Sequence, residues 1–173
     1  MRRARARIAA GALVALATLG AAPAAEPPRT ALDQDGRSHA WEGPSGRLTL
    51  LEFAASWCAP CRETLPRLEA FARRHPELRV LVVDVDERRE DRDRLAASLR
   101  LGLPMLWDED HAIAEHYRPE AMPAALLIAP GGEVLHTALG SRTDEWDGLV
   151  RRVEDQLARE RTDPSRAAAP AGQ

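Results

Sequence analysis

The chain of 173 residues contains 24 basic and 27 acidic residues, and its formal net charge at pH 7 is -3. None of the basic residues is lysine, and four of the arginines fall within the first seven positions. The rest of the chain is therefore more acidic than the whole, which argues against nucleic acid or an anionic membrane surface as a partner. About 150 residues follow the N-terminal segment, enough for one domain with a single hydrophobic core.

The N-terminal segment has the layout of a secretory signal peptide. Its arginines precede an apolar stretch at 8–22, and Ala-Pro-Ala at 22–24 offers a cleavage signal. The apolar stretch is shorter than the ~20 residues that a membrane span needs. We therefore predict a signal peptide at 1–25, cleavage after Ala24 or Ala25, and a periplasmic or extracytoplasmic location. A membrane-anchored form is the alternative.

The segment after the leader predicts a small hairpin followed by a buried strand. Asp35-Gly36 is a turn signal between two weak strands within 30–40. A loop rich in glycine and proline follows at 42–47. The apolar run at 48–55 then predicts a buried strand.

Two cysteines follow this strand in the stretch Ser56-Trp57-Cys58-Ala59-Pro60-Cys61. Apolar residues recur at helical spacing between 65 and 72, so the cysteines lie at a strand-to-helix junction. Free N–H groups and the helix dipole favour a thiolate on Cys58, and the thiolate is the attacking species in disulfide exchange. Cys61 follows about one turn later, so the two sulfurs can close a disulfide.

These cysteines are the only two in the chain, which helps to decide what Cys-x-x-Cys does. A structural zinc site needs four Cys or His ligands, and no second pair follows, so we predict no metal site. Haem attachment needs His directly after the second cysteine, where Arg62 stands. A purely structural disulfide would gain little from so short a loop. A redox-active dithiol is the preferred interpretation.

Beyond the motif, strands and helices alternate. The predicted elements are the helix after the motif, ending near 75–76, a strand at 78–85, an amphipathic helix at 86–100, a strand at 104–107, a helix at 110–117, strands at 124–128 and 134–139 that form a hairpin, and a helix at 146–159. Gly102 is expected to cap the helix at 86–100. This order predicts one α/β domain at 26–160 with a mixed central sheet flanked by helices, followed by a disordered tail at 161–173.

The pentapeptide Trp57-Cys58-Ala59-Pro60-Cys61 resembles the active site of thioredoxin-fold oxidoreductases. The chain around it is similar to the TlpA/ResA-like branch, whose members are extracytoplasmic thiol-disulfide proteins. Four other stretches carry the resemblance: a hairpin at 33–37 with Gly46, Pro66 in the first helix, the strand at 80–86, and the proline strand and hairpin at 122–134. The resemblance implies a thioredoxin-like fold with an N-terminal hairpin.

Glu52 lies six positions before Cys58, within the apolar strand. The resemblance places it under the active site, where thioredoxins carry a buried acid, although many ResA-like proteins carry an uncharged residue there. Burial would raise the pKa of this carboxyl. It could then accept the proton of Cys61 as that thiol attacks a mixed disulfide. The alternative is a solvated glutamate at the edge of the strand.

The resemblance also implies a substrate-binding surface beside the cysteines. Met122-Pro123 opens an apolar strand, where proline is out of place unless it serves a turn or a cis bond. In the family this proline is cis, and the residue before it pairs through its backbone with an extended substrate chain. A trans turn proline is the alternative. Trp57 and Pro60 belong to the same expected surface, although a tryptophan at a strand end often fills the core.

These residues together predict an exported thiol-disulfide oxidoreductase in which Cys58 attacks and Cys61 resolves. No cofactor is expected, because the dithiol itself holds the electrons. The family suggests the reduction of disulfides in partner proteins, apocytochrome c or a metal-site assembly protein, with a membrane electron donor for recharging. A disulfide-forming oxidant is one alternative, since thioredoxin-fold proteins span roughly −270 to −120 mV. A copper-binding assembly chaperone that uses the same two sulfurs is another.

Overall fold

The computed structural model describes residues 29–162. The predicted signal peptide at 1–25 and residues 163–173 of the predicted tail lie outside this range. In chain order the elements are β1 (Thr30–Leu32), β2 (Ser38–Ala40), β3 (Thr49–Ala54), α1 (Cys61–Arg74), β4 (Arg79–Asp84), α2 (Arg89–Leu99), β5 (Met105–Trp107), α3 (Ala112–Tyr117), β6 (Ala124–Ile128), β7 (Val134–Leu139) and α4 (Thr143–Thr162).

A mixed five-stranded sheet lies at the centre, in the strand order β5-β4-β3-β6-β7. The strands β3, β4 and β5 run parallel, whereas β6 pairs antiparallel with both β3 and β7. All six residues of β3 are buried, as expected for a central strand that is covered on both faces. The predicted mixed sheet flanked by helices is therefore confirmed.

Successive residues of β3 enter two hydrophobic clusters, because side chains alternate across a strand. Leu50 and Ala54 join the cluster that contains residues of α1, α2 and α4. Leu51 and Phe53 join the cluster that contains a residue of α3. Glu52 has the same parity as Leu50 and Ala54, so its side chain lies on the side of α1 and α4.

The N-terminal hairpin is present and is attached to the outer edge of β5. The strand β1 pairs antiparallel with β2, and Gly36 in the turn has a φ of 76°. The Met105 N–H donates to Gln34 Oε1 at 2.7 Å, and Gln34 Nε2 donates to the Leu103 carbonyl at 3.0 Å. A side-chain amide therefore pairs with the backbone at this edge as another strand would.

Helix α2 ends before the cap that the sequence predicts. Arg100 adopts a left-handed conformation with a φ of 51°, and the Leu101 N–H donates to the Ala96 carbonyl at 3.0 Å. Leu101 then packs into the core. The prediction that Gly102 caps this helix is wrong, because Arg100 already adopts the left-handed conformation that ends the helix.

Arg92 of α2 is almost fully buried, with 1% of its surface exposed. Its Nη1 donates to the Leu32 carbonyl at 3.3 Å and to the Met105 carbonyl at 3.1 Å, while Nε donates to Asp93 at 2.8 Å. One side chain therefore joins α2 to β1 and β5. The alternating charges of this helix do not distinguish Arg92 from its solvated neighbours.

Helix α4 is longer than the predicted span of 146–159. Two acidic residues in its first turn suit the positive end of the helix dipole. At the other end, Arg161 lies 3.3 Å from a carboxylate oxygen of Glu77. Residues 161 and 162 therefore belong to the helix and not to the predicted tail. Among the helices of residues 29–162, none is both long and apolar enough to cross a membrane.

Candidate active site

The cysteine loop connects the carboxyl end of β3 to the N-terminus of α1, as predicted. Cys58 and Cys61 form a disulfide with a Cα–Cα distance of 5.3 Å. Pro60 directly precedes the first helical residue, where its missing N–H costs nothing. The Cys61 N–H donates to Cys58 Sγ at 3.2 Å. The first amide of α1 therefore points at Cys58, which favours a thiolate on this sulfur when the pair is reduced.

Two of the predicted substrate-binding residues, Trp57 and Pro60, lie in this loop, and Met122 and Pro123 directly precede β6, the strand that pairs with β3. Trp57 is 66% exposed, so it does not fill the core, and Pro60 is half-buried. The Met122–Pro123 peptide is cis, which excludes the trans alternative. Met122 packs against the hydrophobic cluster that contains both cysteines. The Gly140 N–H donates to the Pro123 carbonyl at 2.8 Å, which fixes the start of β6 to the end of β7.

Glu52 is buried beneath the loop, with only 2% of its surface exposed. Its neighbours on the adjacent strands are Val82 and Ala125, neither of which carries a charge. Thr64 Oγ1 of α1 donates to Glu52 Oε1 at 2.6 Å. Burial raises the pKa of Glu52 to about 7, although the bond from Thr64 opposes this change. The alternative of a solvated glutamate is therefore excluded, and the carboxyl can take up or release a proton near neutral pH.

Two further acids, Asp84 and Asp86, connect the cysteine loop to the end of β4. The sequence pattern did not assign either of them a role. Asp86 accepts hydrogen bonds from the Ser56 N–H at 2.8 Å and from Ser56 Oγ at 2.9 Å. The Asp86 N–H donates in turn to Asp84 Oδ1 at 3.1 Å. Burial, together with the charge of Asp86, raises the pKa of Asp84 to about 8. The sequence could have indicated their position, because both acids lie at or just after the carboxyl end of β4, which runs parallel to the strand before the cysteines.

Within residues 29–162, no group of three or more His, Cys, Asp or Glu side chains could hold a metal ion. Met105 is fully buried in β5. The residues beside the loop offer the two sulfurs of Cys58 and Cys61, and Glu52 is the nearby buried acid whose pKa is raised to about 7.

Comparison with known proteins decides the family. The family described as AhpC/TSA matches residues 21–137. The chain belongs to this family. It is 32% identical over 101 residues to Thioredoxin H-type from Fagopyrum esculentum, which covers 58% of this chain and 67% of that protein. It is also 25% identical over 115 residues to thiol-disulfide oxidoreductase ResA from Geobacillus thermodenitrificans, covering 65% of this chain and 66% of that protein.

A solved structure shows the same fold. StoA from Bacillus subtilis superposes with a TM-score of 0.63 at 22% sequence identity, covering 75% of this chain and 99% of that one. The predicted thioredoxin-like fold is therefore confirmed. The similarity to ResA is consistent with the predicted TlpA/ResA-like branch and supports an oxidoreductase activity. The matches to both sequence relatives span about two thirds of those proteins.

Proposed function

We propose that this protein is an exported thiol-disulfide oxidoreductase that reduces disulfides in partner proteins through Cys58 and Cys61. The observation that carries the proposal is the hydrogen bond from the Cys61 N–H to Cys58 Sγ at the start of α1. This contact offers a reduced Cys58 the donor that its thiolate needs. The family membership and the exposed tryptophan beside the sulfur support the same function.

In the first step, Cys58 Sγ attacks one sulfur of a disulfide in the partner. The bond between the two partner sulfurs breaks, the other partner sulfur leaves as a thiolate, and a mixed disulfide joins Cys58 to the partner. Cys58 is suited to this step because it keeps 4% of its surface exposed, whereas Cys61 has none. Cys61 is therefore the resolving sulfur.

In the second step, Cys61 releases the partner. The Cys61 thiol gives its proton to Glu52, and its sulfur bonds to Cys58 Sγ while the bond between Cys58 and the partner breaks. The partner keeps both electrons, and the Cys58–Cys61 disulfide is restored. Glu52 suits the role of general base because burial raises its pKa to about 7, close to the pH of the reaction.

The partner binds at the surface formed by Trp57, Pro60, Met122 and Pro123. Trp57 offers an exposed apolar ring beside Cys58. The backbone of Met122, directly before the cis proline, pairs with an extended segment of the partner around its disulfide. This arrangement places the scissile disulfide by main-chain contacts, so it does not depend on a particular side chain of the partner.

The partners are disulfide-containing proteins in an extracytoplasmic compartment, apocytochrome c or a metal-site assembly protein. A membrane electron donor returns the oxidised pair to the dithiol. The similarity to ResA and the layout of residues 1–25 support these assignments. The mildly acidic composition supports protein partners over nucleic acid.

Chemical labelling and trapping test the roles of the two sulfurs. Iodoacetamide should alkylate Cys58 first in the reduced protein, because the helix terminus lowers the pKa of this thiol below ~8.5. Cys61→Ser should trap partners as stable mixed disulfides, and Cys58→Ser, its matched control, should trap none. Preferential labelling of Cys61 would reverse the assignment.

The reduction potential tests the direction of electron flow. A reductant should equilibrate with glutathione near the lower end of the range of roughly −270 to −120 mV that thioredoxin-fold proteins span. A value near the upper end would instead identify a disulfide-forming oxidant. The same titration is repeated with Cu(I). Tight binding of Cu(I) by the dithiol, without reduction of protein disulfides, would identify a copper chaperone.

A further inference from the structure

A small cavity adjoins Glu52. Its volume of about 20 Å³ is enough for one water molecule. Elements β6, β7, α1 and α4 all contribute to its wall. The residues that matter for its chemistry and access are Glu52, Thr64, Pro123, Ala138, Gly140 and Glu145.

The hydroxyl of Thr64 has two hydrogen-bond acceptors on the side of the active site. Its Oγ1 lies 2.6 Å from Glu52 Oε1 and 3.3 Å from the carbonyl oxygen of Cys61, and its side chain is buried. A hydroxyl has one proton, so it can donate to only one of these oxygens at a time. An ionised Glu52 is the stronger acceptor and holds the proton of Thr64. When Glu52 is protonated, Thr64 is free to turn to the Cys61 carbonyl.

The second oxygen of Glu52 has a different environment. Among residues 29–162, no donor bonds to Oε2, because Thr64 bonds to Oε1 and the strand neighbours Val82 and Ala125 have apolar side chains. The cavity adjoins this carboxyl; its wall is mainly apolar, and Glu52, Thr64 and Glu145 contribute polar side chains to it. Glu145, an exposed residue in the first turn of α4, stands in the wall on the solvent side.

We propose that this cavity is the proton exit for the resolving step and that Thr64 is the positioning residue that directs Glu52 towards it. The proposal rests on the role of Glu52 as the base. Glu52 takes the proton of Cys61 as the new Cys61–Cys58 bond forms and the partner leaves with both electrons. The proton then passes from Glu52 to a water in the cavity and on to solvent beside Glu145, which returns Glu52 to its ionised form.

Other titratable groups near Glu52 must be accounted for in any pH profile. On β4, Asp84 lies two residues beyond Val82 with the same parity, and on α4 Glu145 lines the cavity. The contributions of α1, β6 and β7 to the cavity wall are uncharged: Thr64, Pro123, Ala125, Ala138 and Gly140. A change confined to Thr64 therefore isolates Glu52 from the other two acids.

The test compares Thr64→Val with Thr64→Ser in single-turnover release of a mixed disulfide between pH 5 and 9. Thr64→Val keeps the shape and removes the donor to ionised Glu52, so the midpoint of the release profile should move up by about one pH unit. Release should then be about tenfold slower at pH 6 and unchanged at high pH. Thr64→Ser should restore the profile of the wild type. An unmoved midpoint in Thr64→Val would overturn the role of Thr64.

A second variant tests the cavity itself. Ala138→Val adds two methyl groups to its wall, which should slow release across the pH range while the alkylation rate of Cys58 is unchanged. Asp147→Asn, an exposed change in α4 that lies outside the cavity wall, is the control. Thermal unfolding shows whether each variant is folded. Unchanged release in a folded Ala138→Val protein would overturn the exit route.

The Glu52→Gln variant distinguishes the role of Glu52 as the base from the route by which its proton leaves. If Glu52→Gln releases partners as fast as the wild type, Glu52 is not the base, and both proposals fall together. If Glu52→Gln is slow while Thr64→Val and Ala138→Val behave as the wild type, Glu52 remains the base and only the exit route is wrong.

Discussion

Glu52 lies in the middle strand of the sheet, between uncharged residues on both neighbouring strands. A carboxylate at such a position loses its hydration, and burial raises the pKa of Glu52 to about 7. Within residues 29–162, the hydroxyl of Thr64 is the hydrogen-bond donor to this carboxyl. An apolar residue would suit this position better for stability alone, which favours a chemical role for the acid.

Replacing Glu52 by Gln should affect the second chemical step and leave the first unchanged. The amide keeps the shape of the side chain and removes the base, so release of the mixed disulfide should slow by about 100-fold near neutral pH. Alkylation of Cys58 should proceed at the rate of the wild type, because the amide of Cys61 supplies the donor to that sulfur. Quenched single-turnover reactions measure both rates.

Glu63→Gln is the matched control for this experiment. Glu63 is an exposed acid in the first turn of α1, so it shares the helix terminus with the cysteines but not the buried environment of Glu52. We expect its release rate to equal that of the wild type. Equal rates for Glu52→Gln and Glu63→Gln would show that Glu52 is structural only.

Sequence patterns were sufficient to predict that the two sulfurs lie together, but not to predict which polar groups surround them. Cys58 and Cys61 stand three residues apart, and the local pattern of strand, turn and helix places them together. The bond of Asp86 to Ser56 joins residues 30 positions apart, and the bond of Thr64 to Glu52 joins residues 12 apart. Such contacts depend on the register between elements, which hydrophobic periodicity does not give.

At the scale of elements, Arg92 is the clearest example of a contact that joins separate segments. Its guanidinium bonds to the backbone of β1 and of β5 from within α2. These carbonyl groups would be left without their donor if the side chain were removed, and a large buried volume would be vacated. Arg92 thus holds the hairpin, the outer strand and the helix in one arrangement.

Arg92→Ala should therefore lower the free energy of unfolding by about 3 kcal/mol or more. Arg89→Ala is the control, because Arg89 lies in the same helix, is exposed, and has only one ion pair at 3.9 Å. Its effect should stay within about 0.5 kcal/mol. Urea unfolding followed by circular dichroism measures both. Equal stabilities of the two variants would contradict the structural role of Arg92.

The strands were more predictable than the helix ends. The predicted strands at 124–128 and 134–139 coincide with β6 and β7, because the proline, the continuous apolar run and the turn residues at 130–132 delimit them. The prediction of the residue that caps α2 was wrong. The position of the cap depends on how Leu101 packs, and the packing of a side chain cannot be read from the sequence. The longer α4 reflects contacts such as that of Arg161 with Glu77, which lies far away in sequence.

At the scale of the whole molecule, the buried acids make stability depend on pH. Burial raises the pKa of Glu52 to about 7 and that of Asp84 to about 8, above their usual values of 4.5 and 3.8. Between the usual and the raised values, the folded protein binds more protons than the unfolded chain. The stabilising contribution of each protonated acid is therefore complete below the usual pKa and is lost as the pH rises through the raised one.

The oxidised protein should accordingly become less stable between pH 5 and pH 9. Glu52 alone accounts for a loss of about 3 kcal/mol over this window. Glu52→Gln should reduce the loss by that amount and leave the larger part, which is due to Asp84, whose pKa is raised further. Urea unfolding at several pH values measures this, and the disulfide keeps the thiols from titrating. Stability that rises with pH across the window would contradict the buried carboxyls.

The two outer strands of the sheet differ in what lies against them. On β5, both backbone groups of Met105 are taken, the N–H by Gln34 and the carbonyl by Arg92. On β7, no other strand of residues 29–162 pairs with the outer edge. The central five-stranded sheet of residues 29–162 therefore has one open edge, that of β7. Two copies joined β7 to β7 about a two-fold axis would use this edge in both copies, so extension of the central sheet would stop at a pair.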